Sequence, residues 1–197
     1  MPLSDADRDP LQLLQAAVDR AVEAEVSTPK AAVLATVDEV GDPTARVVNV
    51  RRVDARGLAF LTNLHSPAGE HLQRRPRAEL CFHWRPLGEQ IRVGGPIERI
   101  PDEEADAYWA RRSRASQLGD RASRQSEVLA SEAELRARFA EQDEALPDDP
   151  VPRPPEWGGF RLAPERVEFW RQGDPWLHER VRYERDEAGW RRVRLQP

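Results

Sequence analysis

The residues here whose types and spacing could do chemistry are arginines set beside Ser, Tyr and Gln in short clusters, such as Arg112-x-Arg114-x-Ser116-Gln117 and Ser123-Arg124-Gln125-Ser126. A guanidinium offers a rigid fork of N–H donors that grips phosphate bidentately, and such clusters suit that task. A solvated, Arg-rich surface produces the same composition, so the clusters alone leave both readings open. Other chemistries lack their patterns. The chain has no Gly-rich phosphate loop and no Gly-x-Ser-x-Gly elbow. His65, His71, His83 and His178 are scattered, with no ligand pair to the single cysteine, so no metal site is expected. More distinctive is the C-terminal run Trp157-Gly158-Gly159-Phe160-Arg161, followed by Glu168-Phe169-Trp170 and Leu177-His178-Glu179-Arg180. Generic core packing does not produce that pattern.

Composition bounds what these residues can be part of. At 197 residues the chain forms one domain, with a hydrophobic fraction of 39% that suits a soluble globular core. No run approaches the roughly 20 apolar residues of a membrane helix. Met1 to Pro10 carries three Asp and no apolar block, unlike a signal peptide. A net charge of −5 argues against a nucleic-acid binder. Cys81 alone forms no internal disulfide, which fits a reducing cytoplasm, and it reads as a buried core thiol rather than a nucleophile. Lys30 is the only lysine and sits beside Pro29 in a connector. A Schiff-base use of pyridoxal phosphate as cofactor therefore has no good lysine to rely on.

The elements that must position these residues are mainly strands. Leu11, Leu14, Ala17, Val18, Ala21 and Val22 recur at helical spacing and predict an amphipathic helix over Pro10–Glu25, stopped by Ser27-Thr28-Pro29. Apolar, β-branched runs follow at Ala31–Val37, Ala45–Val53, Leu58–Leu64, Ala78–Trp84 and Glu89–Arg99, with hairpin turns at 39–42 and 54–57. Ser66-Pro67 opens a helix over Ala68–Gln73, Asp102–Arg111 reads as another, and Ser131-x-x-Glu134 caps a third over Glu132–Gln142. After a Pro-rich linker at 145–156, strands are expected at Gly159–Leu162, Arg166–Trp170, Arg180–Glu184 and Trp190–Leu195. Short strands at this spacing, with few helices between, predict an antiparallel β-barrel.

The C-terminal run resembles that of the pyridoxine (pyridoxamine) 5′-phosphate oxidases, FMN enzymes that make pyridoxal 5′-phosphate. Asp9-Pro10-Leu11, Ala35-Thr36-Val37-Asp38, Phe60-Leu61-Thr62-Asn63 and the two arginine clusters extend the likeness over roughly 9–197. The resemblance implies a mainly β, antiparallel split barrel with flanking helices, working as a homodimer with FMN at the subunit interface. Residues 1–144 would form the FMN-binding core and 157–197 a dimerisation segment completing the same domain. By matched position, Arg46, Leu61, Thr62, Gln90, Gln125, Ser126, Trp170 and Arg180 would hold FMN. Arg51, Tyr108, Arg112, Ser116, Trp176 and His178 would meet the substrate, with His178 and Arg180 at the reacting centre. Arg46 and Gln125-Ser126 would come from different subunits. Partners would be a phosphorylated pyridine and O₂.

The chain departs from the family pattern at three places. Ser66-Pro67-Ala68 stands where the family has Ser-Arg-Lys, two cations on the FMN phosphate. The amides of Ala68 and Gly69 at a helix start would compensate in part. Arg51 replaces a lysine, and Trp176 replaces an arginine over the vitamer. Pro67-Ala68 and Trp176 support an alternative: a divergent oxidase of another aromatic metabolite, as in the phenazine-pathway relatives, or a non-catalytic vitamer- or flavin-binding protein.

Overall fold

The structure is a computed structural model and describes residues 9–147, 150–175 and 177–197. Asp9 opens the first helix by accepting from the Leu11 N–H, and Pro10 takes the first helical position, where a missing N–H costs nothing. Helix α1 (Pro10–Glu23) buries Leu11, Leu14, Ala17, Val18 and Ala21 against the main core. It stops short of the expected Glu25, which itself takes a left-handed φ of 51°.

Among the described residues nine strands follow the predicted order. They are β1 (Ala31–Val37), β2 (Pro43–Asp54), β3 (Gly57–Asn63), β4 (Arg77–Trp84), β5 (Glu89–Arg99), β6 (Trp157–Leu162), β7 (Arg166–Arg171), β8 (Glu179–Asp186) and β9 (Gly189–Leu195). Helices α2 (Pro67–Arg74), α3 (Asp102–Trp109), α4 (Arg114–Ala122) and α5 (Glu132–Ala145) interrupt them. The sequence reading omitted α4. Its capping residue is Ser113, whose Oγ accepts from the Ser116 N–H, but only Leu118 and Ala122 are buried. Two apolar positions give too thin a stripe for periodicity to register.

All pairings are antiparallel, and six strands close on themselves in the order β4-β1-β2-β3-β6-β5, with β5 returning to β4. Strands β7, β8 and β9 extend the sheet outward from β5. Two strands serve both halves of the barrel. Strand β2 pairs with β1 through Asn49 and with β3 from Val50, shifting register between Val50 and Arg52. Strand β5 pairs with β4 up to Pro96, with β7 up to Gly94 and with β6 from Ile97. The crossing at Gly95 needs a residue without Cβ, because that atom would lie 2.1 Å from the Ala163 carbonyl oxygen. Segment 157–197 thus supplies two wall contacts of the barrel through β6, as well as the outer strands.

Alternation along the strands sorts the core from the outside. Leu34, Val48, Val50, Leu80, Phe82, Ile91 and Val93 point in, while Val33, Val37 and Val47 remain exposed on the outer face. Cys81 belongs to that outer face, opposite Val33 and Arg92, and is half-buried. This corrects its reading as a core thiol. Burial pushes the thiol pKa up, which leaves it a poor nucleophile. A second, smaller core of Ile100, Ala105, Trp109, Leu118, Val151 and Trp157 lies among α3, α4 and the Pro-rich segment. That segment is irregular but tied down. The Val151 carbonyl accepts from Trp109 Nε1, and Arg153 binds Asp102, Asp106 and the Trp157 carbonyl.

Arg161 is a buried charge that joins the halves of the chain. Its side chain is 2% exposed and donates to Asp54 at 3.2 Å and Glu104 at 2.6 Å. Arg161→Ala is expected to destabilise the fold by about 2–3 kcal/mol, since it removes the buried partner of both acids while Arg52 and Arg56 still meet Asp54 and Arg56 still meets Glu104. Urea unfolding checks this: a loss below about 1 kcal/mol would mean that solvent already screens both acids. Among the described residues no helix is long and apolar enough to cross a membrane, and no group of His, Cys, Asp and Glu is arranged to hold a metal.

Candidate active site

The hairpin turn at 39–42 sets the first part of the site. It places Thr36 opposite Thr44 and Leu34 opposite Arg46 on β1 and β2. Arg46 donates through Nη1 to Thr36 Oγ1 at 2.6 Å and through Nη2 to Thr44 Oγ1 at 2.8 Å. These partners are neutral, and no carboxylate of the described residues pairs with it. Burial pulls its pKa below the ordinary arginine value. A half-buried cation left without a counter-charge is a site prepared for an anion.

Arg46 opens into a cleft of about 510 Å³, within the range of about 300–1,000 Å³ typical of small-molecule sites. Arg51, Leu61, Thr62, Arg112, Gln125 and Ser126 line the same cleft, so seven of the expected residues converge in one chain. Arg46 and Gln125-Ser126 therefore do not need two subunits to meet, which corrects that expectation. Ser126 holds a φ of 74°, a left-handed conformation costing a non-glycine residue about 1–3 kcal/mol. Strain of this kind gathers where a backbone is held for a ligand.

Arg112 arrives from the turn between α3 and α4. Its Nη2 lies 2.6 Å from Asp120, and its guanidinium packs over the rings of Trp109 at 5.9 Å and Trp157 at 5.3 Å. Trp157 Nε1 donates to the same Asp120 carboxylate at 2.8 Å, which fixes the ion pair. The Nε of Arg112 is buried with no hydrogen-bond partner. Tyr108 and Ser116 do not line the cleft. Tyr108 packs half-buried against the second core, where burial raises its phenol pKa, and Ser116 Oγ lies 2.8 Å from Ser113 Oγ.

The remaining residues form a separate group on the outward face of β5, β7 and β8. Gln90, Trp170 and Arg180 are consecutive cross-strand partners. Arg180 donates to the buried Glu168 at 2.7 and 3.0 Å, so a carboxylate already meets its charge. The His178 ring stands 4.9 Å from that of Trp170, and its Nδ1 accepts from the Gly173 N–H at 3.2 Å. None of the four lines the cleft. Trp176 lies outside the described residues.

The helix start at Ser66 also differs from expectation. Ser66 Oγ takes the Gly69 N–H at 3.2 Å, and Pro67 has no N–H to give. Of the two amides expected to serve an anion, only that of Ala68 is left. The donor set nevertheless fits FMN: an uncompensated arginine, the Thr62 hydroxyl, and amide and hydroxyl groups from Gln125 and Ser126 around one cleft, while the Ser66 hydroxyl donates its proton to the Asn63 carbonyl at 2.7 Å.

Residues 18–144 match the family model described as pyridoxamine 5′-phosphate oxidase, and residues 157–197 match the pyridoxine 5′-phosphate oxidase C-terminal dimerisation region. The chain belongs to the pyridoxamine 5′-phosphate oxidase family. Among its oxidase relatives, the pyridoxine/pyridoxamine 5′-phosphate oxidase of Myxococcus xanthus (strain DK1622) is 48% identical over 189 residues, covering 96% of this chain and 92% of that one. The protein of the same name from Anaeromyxobacter dehalogenans (strain 2CP-C) is also 48% identical, with both chains covered in full. Among solved structures, PhzG from Burkholderia lata 383, in complex with tetrahydrophenazine-1-carboxylic acid, superposes with a TM-score of 0.93 at 36% identity. That match covers 98% of this chain and 95% of PhzG. FMN is the cofactor of this oxidoreductase family.

Within the oxidase family pattern, the missing cations at Pro67-Ala68 carry a measurable consequence. Pro67→Arg with Ala68→Lys is expected to tighten FMN by about tenfold or more, with the gain shrinking at high salt. A titration showing no gain would mean that Arg46 and the remaining donors already saturate the phosphate.

Sequence reasoning missed Thr36, Thr44, Ser66, Asp120 and Trp157 as site residues. Thr36 and Thr44 were within reach, since the 39–42 turn fixes their register. Asp120 was not, because it lies on the unrecognised α4.

Proposed function

We propose that this protein is an FMN-dependent oxidase of pyridoxamine and pyridoxine 5′-phosphates, working as a cytoplasmic homodimer. The observation that carries the reading is the split in the site: a phosphate-ready cleft on one face and a Gln-Trp-Arg row with His178 on another. Two-fold pairing lets the cleft of one protomer face the row of its partner. The exposed Val33 and Val47, cross-strand neighbours on the outer face, supply apolar surface for such contact. The single cysteine supports the cytoplasmic assignment.

In this reading Arg46, Thr62, Gln125 and Ser126 would hold the FMN phosphate, and Leu61 would pack beside the flavin. Gln90, Trp170 and Arg180 of the partner subunit would border the ring. Arg112, with Arg51, would take the substrate phosphate; Tyr108 and Ser116, which do not line the cleft, would have to turn toward it to join them. With Nδ1 accepting from Gly173, His178 of the partner subunit presents a protonated Nε2 as donor near the reacting carbon. When bound, FMN supplies the hydride acceptor and the route of electrons to O₂. For the amine, substrate, water and O₂ give pyridoxal 5′-phosphate, ammonia and H₂O₂.

Rapid mixing tests this. Under nitrogen, pyridoxamine 5′-phosphate should bleach the visible absorbance of the FMN-loaded protein, and air should restore it. Retained absorbance at saturating substrate contradicts the reading. A second reading, oxidation of a different aromatic acid, is favoured by the Arg112–Asp120 pair, which already meets part of the charge a phosphate would need. Bleaching by a dihydro-aromatic carboxylate, with none by the vitamer, would select it.

A further inference from the structure

We infer that His71 positions Arg46 through the hydroxyls of Thr36 and Thr44, so that affinity for the flavin phosphate depends on a side chain outside the cleft. The inference rests on the reading of that cleft as the FMN site.

A guanidinium has five N–H donors. Arg46 Nη1 serves Thr36 Oγ1 at 2.6 Å and reaches the Leu34 carbonyl at 3.3 Å, while Nη2 serves Thr44 Oγ1 at 2.8 Å. The Nε–H and the second Nη2 hydrogen have no partner among the described residues. The cation is thus aimed by neutral dipoles and keeps its charge for a ligand.

Each threonine hydroxyl, having accepted from Arg46, must place its own proton elsewhere. The two oxygens are 2.9 Å apart, so one hydroxyl donates to the other. The second proton has two destinations. The Thr36 carbonyl is 3.5 Å from Thr44 Oγ1, at the outer limit of a hydrogen bond. His71 Nδ1 lies 3.2 Å from Thr36 Oγ1 and 3.3 Å from Thr44 Oγ1. His71 is therefore the acceptor, in the tautomer that carries its proton on Nε2. Without it a hydroxyl proton turns back toward Arg46, and the fork loses its fixed acceptors.

His71 stands on α2, whose first residues Pro67 and Ala68 line the cleft but bring no cation to it. Arg46 then carries more of the phosphate than it would beside an Arg-Lys pair, and its orientation matters correspondingly more. His71 is a positioning residue in this scheme. It does not line the cleft.

Flavin fluorescence titrations of the flavin-free full chain test the inference, with FMN and riboflavin as separate probes. Riboflavin lacks the phosphate. His71→Ala should weaken FMN about tenfold, as expected for one lost hydrogen bond in a charge-bearing network, and leave riboflavin unchanged. His71→Asn, which returns an acceptor near the Nδ1 position, should recover most of the loss. In an Arg46→Ala background, His71→Ala should cost nothing further, since coupled residues are not additive. Wild type binding FMN no better than riboflavin overturns the flavin reading of the cleft and this inference with it. FMN bound equally by wild type and His71→Ala overturns the inference alone, and so does an equal loss of both probes.

Discussion

Arg46→Ala is expected to weaken FMN binding by about two to four orders of magnitude. Two charge-assisted hydrogen bonds to phosphate are lost, each worth about 1.5–3 kcal/mol, and every 1.4 kcal/mol is a factor of ten. Most groups around it are already engaged. Pro67 and Ala68 carry no cation, the Gly69 N–H is held by Ser66, and Arg112 is paired with Asp120, which leaves Arg51 as the other cation lining the cleft. Removal of Arg46 also frees Thr36 and Thr44 to bond each other and His71, so the fold should lose little. Flavin retained after gel filtration and the titrated FMN affinity are the measurements. An affinity within threefold of wild type would place the phosphate elsewhere.

Arg112→Ala should lower kcat/KM for pyridoxamine 5′-phosphate by about thirtyfold or more, the equivalent of about 2 kcal/mol for a phosphate left unpaired. The loss should appear mainly in KM, because Arg112 binds a part of the substrate remote from the reacting carbon. Asp120 moderates the effect: it competes for the guanidinium before substrate arrives. Arg112→Lys should recover only part of the loss, since an ammonium keeps the charge but not the fork. A fall in kcat with KM unchanged would instead implicate Arg112 in the chemical step.

Most of the barrel was legible because its strands are apolar, β-branched runs bounded by turn residues. Strands β1 and β5 fall at the predicted bounds, and the hairpin turns at 39–42 and 54–57 carry the Gly and Asp that name them. Closure of the ring was not legible. It depends on β5 exchanging β7 for β6 around Gly95, a close approach of backbone that no periodicity reveals. Helix α4 was missed for the opposite reason, a strong cap with almost no apolar stripe. The site divides in the same way. The family resemblance, not spacing, named Arg46, Arg51, Leu61, Thr62, Arg112, Gln125 and Ser126, and the structure brings them to one cleft. The partners that set their charge were invisible, because Asp120 reaches Arg112 through an unpredicted helix and Glu168 meets Arg180 by lying beside it on the outer face of the sheet. The capped Gly69 amide likewise depends on which N–H the Ser66 hydroxyl chooses.

The proposed site is built from the cleft of one protomer and the row of the other. Complementation between two impaired variants tests it most directly. Arg112→Ala breaks the cleft and His178→Ala breaks the row, so each homodimer should oxidise pyridoxamine 5′-phosphate poorly. When the two are mixed, dissociated and reassembled, half of the dimers are mixed, and each of these has one intact site. Peroxide release should then rise to about a quarter of the wild-type kcat/KM, the fraction two-fold symmetry dictates. A mixture no more active than the average of its parents would contradict the shared site.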